Sequence, residues 1–118
     1  MIKNLDISGV HLEVGDDLHK YVVRKIGRLS RFVPRQMRED IQVAVKLKEG
    51  KAADGKDRTC EVIMKLPNET LVVNETTVNI FAAVDIAEAK LKARLRKYKE
   101  TQVAPRFHQR IAAKLRRA

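Results

Sequence analysis

Residues 79–99 read Asn-Ile-Phe-Ala-Ala-Val-Asp-Ile-Ala-Glu-Ala-Lys-Leu-Lys-Ala-Arg-Leu-Arg-Lys-Tyr-Lys. Phe81, Val84, Ala87, Leu91, Leu95 and Tyr98 recur at three- and four-residue steps, which is the spacing of one helix face. Asn79 stands where a helix N-cap belongs. The helix is predicted to reach at least Lys99, with Pro105 as its latest end. Its apolar stripe is expected to pack on a sheet. Lys90, Arg94 and Lys97 line one shoulder of that stripe, and Lys92, Arg96 and Lys99 line the other.

The preceding residues supply the sheet. Ile41, Val43, Val45 and Leu47 alternate with Gln42, Ala44, Lys46 and Lys48, the clearest strand pattern in the chain. The charged segment from Glu49 to Asp57, with Gly50 and Gly55, reads as a flexible hairpin loop. Cys60, Val62, Met64 and Leu66 mark the next strand, Pro67-Asn68 a turn, and Leu71 and Val73 a further strand ending near Thr76 or Thr77. At the N-terminus, Lys3 to Ile7 alternates as a short strand, and Gly9 and Gly15 bracket a turn. A first helix over 16–32, capped by Asp16 or Asp17, carries the stripe Leu18, Val22, Ile26, Leu29 and Val33. Gly27 weakens it by about 1 kcal/mol relative to Ala, and Pro34 ends it. The order is β-α-β-β-β-α. The expected fold is α+β, a four-stranded sheet with two helices packed on one face.

Composition narrows the function. The 118 residues suit one domain, and 44% hydrophobic content with 4% aromatic and no Trp predicts an aliphatic core. The longest uncharged apolar stretch, Ile80 to Val84, is far too short to span a membrane. The N-terminus lacks the apolar run and cleavage site of a secretory signal, so a cytoplasmic protein is expected. Cys60 is the sole cysteine, which excludes an intramolecular disulfide, and its alternation with Val62 and Met64 predicts a buried thiol. His11, His19 and His108 lack metal-ligand spacing; His11 is read as closing the first turn. Asp85 and Glu88 lie near a helix start, where the helix dipole favours carboxylates. No nucleophile elbow, phosphate loop or metal motif is present, so neither an enzyme nor a cofactor is expected.

Charge points to a partner. The formal net charge is +10. Residues 1–85 hold 14 basic and 13 acidic residues, whereas residues 86–118 hold 11 basic and 2 acidic. Such asymmetry attracts polyanions, nucleic acid first and an anionic membrane second. The first helix adds a ladder of Lys20, Arg24, Arg28 and Arg31, with Lys25 beside it. Two helices on one sheet face can merge these ladders into one basic surface. The chain divides into a folded unit, 1–100, and a basic tail, 101–118, where Phe107, Ile111 and Leu115 allow a short amphipathic helix on binding.

The stretch from Asn79 through Asp85 into Lys90–Lys99 resembles the signature helix of the ribosome hibernation-promoting factor and ribosome-associated translation inhibitor family. Ile7-Ser-Gly-Val-His-Leu-Glu-Val14 looks like that family's first strand and turn, and Pro67-Asn68 with Leu71-Val72-Val73 like its third hairpin. The resemblance covers about residues 2–100. It implies a fold similar to a double-stranded RNA-binding domain with an added first strand. It also implies occupancy of the mRNA and tRNA channel of the small ribosomal subunit, in contact with rRNA and in competition with mRNA and tRNA. Ribosomes would thereby be held inactive during starvation or stationary phase. Lys25, Arg28, Arg31, Lys90, Arg96, Lys97 and Lys99 are carried over as rRNA-binding candidates.

This chain departs from the family pattern at Lys92-Ala93-Arg94, where Glu-Arg-Gln is common. Lys92 and Arg94 therefore join the candidates, with the arginine shifted by about 100° around the helix. Long members carry a second domain for ribosome pairing, and 18 residues after Glu100 are too few for it. A short form, monomeric when free, is expected. The alternatives are a general double-stranded RNA-binding module or chaperone, and a protein-directed regulator of transcription.

Overall fold

The computed structural model describes the backbone of residues 1–50 and 57–117, and side chains through Thr101 outside the 51–56 segment. The elements are β1 (Asn4–Val10), α1 (Asp16–Gly27), β2 (Gln42–Glu49), β3 (Arg58–Leu66), β4 (Glu69–Thr77) and α2 (Ile80–Arg117). Two 3₁₀ turns, Arg28–Phe32 and Arg35–Asp40, lead from α1 to β2. The sheet order is β1-β2-β3-β4. β1 runs parallel to β2, with Leu5 opposite Val43, because α1 and the 3₁₀ turns form a crossover between them. The other pairs are antiparallel hairpins. This is the expected α+β order, with α1 and α2 packed together on the sheet.

Alternation sets the register. Val43, Val45 and Leu47 of β2, Cys60, Val62 and Met64 of β3, and Leu71 and Val73 of β4 are buried on the helix side. Leu18, Val22 and Ile26 of α1 meet them, joined by Leu29 and Val33 beyond it. Val84, Ala87, Leu91, Leu95 and Tyr98 complete one core. The Tyr98 hydroxyl donates to the Pro67 carbonyl at 2.9 Å and lies 3.2 Å from Met37 Sδ, so one side chain ties α2 to the β3–β4 turn and the second 3₁₀ turn. In that turn Asn68 takes φ 71° behind Pro67, the signature of a type II turn.

Several expectations are corrected. The predicted first helix gives way to 3₁₀ geometry after Gly27. Gly27 is buried, its carbonyl accepts from Ile2 N–H at 3.0 Å, and a Cβ there would stand 3.0 Å from the Met1 methyl. The N-cap of α1 is Gly15; Asp16 and Asp17 lie inside the first turn, where they meet the helix dipole. β1 runs beyond Ile7 to Val10 and takes in Gly9, while the chain turns at His11, whose φ is 55°, between Gly9 and Gly15 as expected. Phe81 leaves the core stripe: it is exposed and sits edge-on to Tyr21 at 5.1 Å, while Ala83 is buried in its stead. Helix α2 continues past Pro105 to Arg117. Pro105 cannot donate to the Thr101 carbonyl, but a helix accommodates one such loss at the cost of a local distortion. The tip of the β2–β3 hairpin and the tail stripe of Phe107, Ile111 and Leu115 lie outside the described side chains.

Two expectations hold in detail. Asn79 caps α2, its Oδ1 accepting from Phe81 N–H at 2.8 Å. Cys60 is fully buried, and desolvation followed by the nearby Glu75 carboxylate pushes its thiol up to about 12 from an ordinary value of 9.0. Asn79→Ala is expected to lower stability by about 1 kcal/mol in chemical denaturation. The folded thiol stays protonated where the unfolded one ionises, so its contribution is intact below pH 9 and is lost progressively as pH rises toward 12. Wild type should therefore lose more stability than Cys60→Ala between these limits, and native Cys60 should resist a thiol reagent at neutral pH.

Candidate nucleic-acid interface

Burying the apolar stripe of α2 against β3 and β4 fixes its rotation about its own axis. One basic shoulder then faces the β4 edge and the other faces α1 and the first 3₁₀ turn. The nine candidate residues separate accordingly.

On the β4 side, Lys90 pairs with Glu75, and Arg94 donates to the Val72 carbonyl at 2.6 Å. Arg94 thus occupies a main-chain acceptor of an edge strand. Lys97, one turn further along this shoulder, is exposed.

Between the helices, the first turns of α2 supply acids that meet the cations at the end of α1 and the start of the 3₁₀ turn after it. Lys25 lies 3.4 Å from Asp85, and Arg28 forks onto Glu88 at 3.1 and 3.3 Å. Tyr21 donates to Asp85, and that bond, together with burial, raises the Tyr21 pKa. Arg24 and Lys25 also lie 5.3 and 5.6 Å from the Tyr21 ring centre. The two ladders therefore do not merge along their whole length. Asp85 and Glu88, favourable at a helix start, also partner the opposite helix.

Further along, the pattern changes. Arg31, Lys92 and Arg96 surround the half-buried Phe32 ring, at 5.1, 5.1 and 5.8 Å from its centre. None of the three lies in an ion pair among the described residues. Here the ladders do merge, with Lys99 exposed on the same shoulder of α2. The alternation and helix patterns did not point to Phe32; its adjacency to Arg31 was the available signal. Among the described residues there is no metal-binding group of acids, His or Cys, and no helix long and apolar enough to cross a membrane.

These features define an α+β binding module with a cationic surface built by two helices. The family model described as Sigma 54 modulation protein / S30EA ribosomal protein matches residues 5–103, and the chain belongs to that family. It is a family of ribosome hibernation factors rather than of enzymes. Proteins named ribosome hibernation promotion factor are similar in sequence: that of Staphylococcus aureus is 31% identical over 94 residues, covering 80% of this chain and 47% of the relative. That of Bacillus subtilis is 30% identical over 108 residues, covering 90% and 53%. The chain thus spans about half the length of the curated relatives it matches. Among solved structures, the N-terminal domain of Thermus thermophilus Protein Y superposes with a TM-score of 0.68 at 26% identity, covering 79% of this chain and 94% of that domain. A ribosomal subunit interface protein from Coxiella burnetii shares the fold, with a TM-score of 0.66 at 22% identity over 80% and 96% of the two chains.

The Arg28–Glu88 fork joins a half-exposed cation to a carboxylate with only 14% side-chain exposure. Its coupling in a double-mutant cycle should be about 1 kcal/mol and should shrink with added salt, as thermal melts can measure.

Proposed function

We propose that this chain binds the small ribosomal subunit through rRNA, occupies the channel used by mRNA and the anticodon ends of tRNA, and holds the ribosome inactive. The family match over residues 5–103, which takes in α1 and α2 as far as residue 103, is the observation that carries this reading. The mechanism is occupancy. Cations on a rigid surface displace counterions from the RNA backbone, and the bound domain excludes mRNA and tRNA. Residues 1–100 act as the binding unit, and residues 101–118 as a basic extension.

The candidate contacts have unequal roles in this reading. Arg31, Lys92, Arg96 and Lys99 present their charge with no ion-paired acid among the described residues and make the main contacts. Lys97 adds a contact further along α2. Lys25, Arg28 and Lys90 first have to loosen from Asp85, Glu88 and Glu75. Arg94 contributes least, because its guanidinium already donates to the Val72 carbonyl.

Co-sedimentation with purified ribosomes tests the proposal. Wild type is expected to saturate at one copy per small subunit and to be displaced by tRNA with mRNA. A Lys92→Glu, Arg96→Glu, Lys99→Glu variant, folded by circular dichroism, should fail to pellet at near-physiological salt, whereas Arg94→Ala should bind within about threefold of wild type. If wild type ignores ribosomes but binds duplex RNA of any sequence, a general RNA-binding module replaces this reading.

A further inference from the structure

Two aromatic rings gather cations on the helix side of this fold, and they differ in one respect. Around Tyr21, Lys25 pairs with Asp85, which also accepts the Tyr21 hydroxyl bond, and Arg24 lies over the ring beside them. Around Phe32, three cations from two separate elements meet with no acid in ion-pair contact among the described residues. Arg31 comes from the 3₁₀ turn after α1, and Lys92 and Arg96 from successive turns of α2. Like charges gathered within 5.8 Å of one ring centre repel one another, and a solvated surface would let them splay apart. The quadrupole of the ring offsets part of that repulsion by attracting each cation. Phe32 can hold this position because its inner side packs against the core.

We propose that Phe32 is a positioning residue that gathers Arg31, Lys92 and Arg96 into a single site for one RNA backbone phosphate. The proposal rests on the RNA-directed reading above and assigns to an uncharged residue a share of the binding. A phosphodiester has the required chemistry: it is anionic, compact, and accepts from two guanidinium groups and an ammonium at once. Phe32 itself makes no contact with the phosphate. It acts by keeping the three donors convergent before the anion arrives, which lowers the ordering cost of binding.

Phe32→Leu keeps the apolar packing and the net charge but removes the ring. Titrated against purified small ribosomal subunits between about 50 and 200 mM salt, it is expected to bind about tenfold more weakly. The slope of log affinity against log salt should become shallower by about one. Phe32→Trp should retain wild-type affinity and slope. In a Lys92→Gln, Arg96→Gln background, Phe32→Leu should have a much smaller effect than in wild type, because two of the three cations it acts through are gone. Unchanged binding by Phe32→Leu overturns the proposal. So does an equal loss in Phe32→Leu and Phe32→Trp, or a Phe32 effect that simply adds to the loss of the two cations. If Phe32→Leu melts early, the Phe32→Trp comparison and the salt slope of the Lys92→Gln, Arg96→Gln protein decide instead, and an unaltered slope in the latter overturns the site. Should wild type not bind the subunits, the same titrations against a mixed-sequence RNA duplex separate the two claims. A Phe32-dependent slope there keeps the phosphate site while the ribosomal reading falls, and a Phe32-independent one overturns the site as well.

Discussion

The contact on which the rest of the molecule depends is the seating of α2 on β3 and β4. Ala83, Val84, Ala87, Leu91, Leu95 and Tyr98 are all buried there, against Val62, Met64, Leu71 and Val73. Close packing of aliphatic side chains allows little rotation, since a shift of one residue would turn the stripe by about 100° and drive a lysine or arginine into the core. The same contact that stabilises the fold therefore aims the charges. It sends Lys90 and Arg94 toward the β4 edge, and Lys92 and Arg96 toward Phe32.

Net charge is a poor guide to where such a surface binds. The first turns of α2 carry Asp85 and Glu88, and these offset Lys25 and Arg28 across the interhelical seam. The later turns carry six cations from Lys90 to Lys99 with no acid among them. The seam is thus knitted by ion pairs at one end and left positively charged at the other. Such pairs contribute little to stability individually, and the packed core beneath them sets how the two cation-bearing elements meet. The field an approaching polyanion meets comes from the unpaired end.

Much of this was legible in the sequence, for identifiable reasons. Alternation in 41–48 and 60–66, interrupted only at Ala44 and Ile63, determined both strands and their buried faces, because a one-residue slip would expose every valine. The α2 stripe and its Asn79 cap were equally plain. The misses arose where a tertiary contact overrode a local rule. Phe81 fits the helical stripe, yet it lies outside the core with its ring packed at 71° to that of Tyr21. Asp16 and Asp17 are good caps in isolation, but the chain enters α1 one residue earlier, at Gly15. Gly27 reads as a weak point in a longer helix; its small volume instead lets the N-terminal residues lie against it, and the helix tightens there. Pro105 reads as a stop, and the helical backbone passes through it.

The site was legible only in part, because a ladder of cations on one helix carries no information about the acids of another. Lys25 and Arg28 were indistinguishable in the sequence from Arg31: all three are basic residues on one helical run. What separates them is the register between two elements some 60 residues apart, which places Asp85 opposite the first, Glu88 opposite the second, and Lys92 with Arg96 beside the third. A chain that simply needed solubility would gain nothing from converging three cations on one ring, since dispersed charges repel less and solvate better. Convergence is an unfavourable arrangement that the free domain tolerates because a half-buried phenyl ring offsets part of the repulsion. It becomes favourable once an anion lies among the three donors, and this difference between free and bound states is the physical basis for reading the cluster as a binding site.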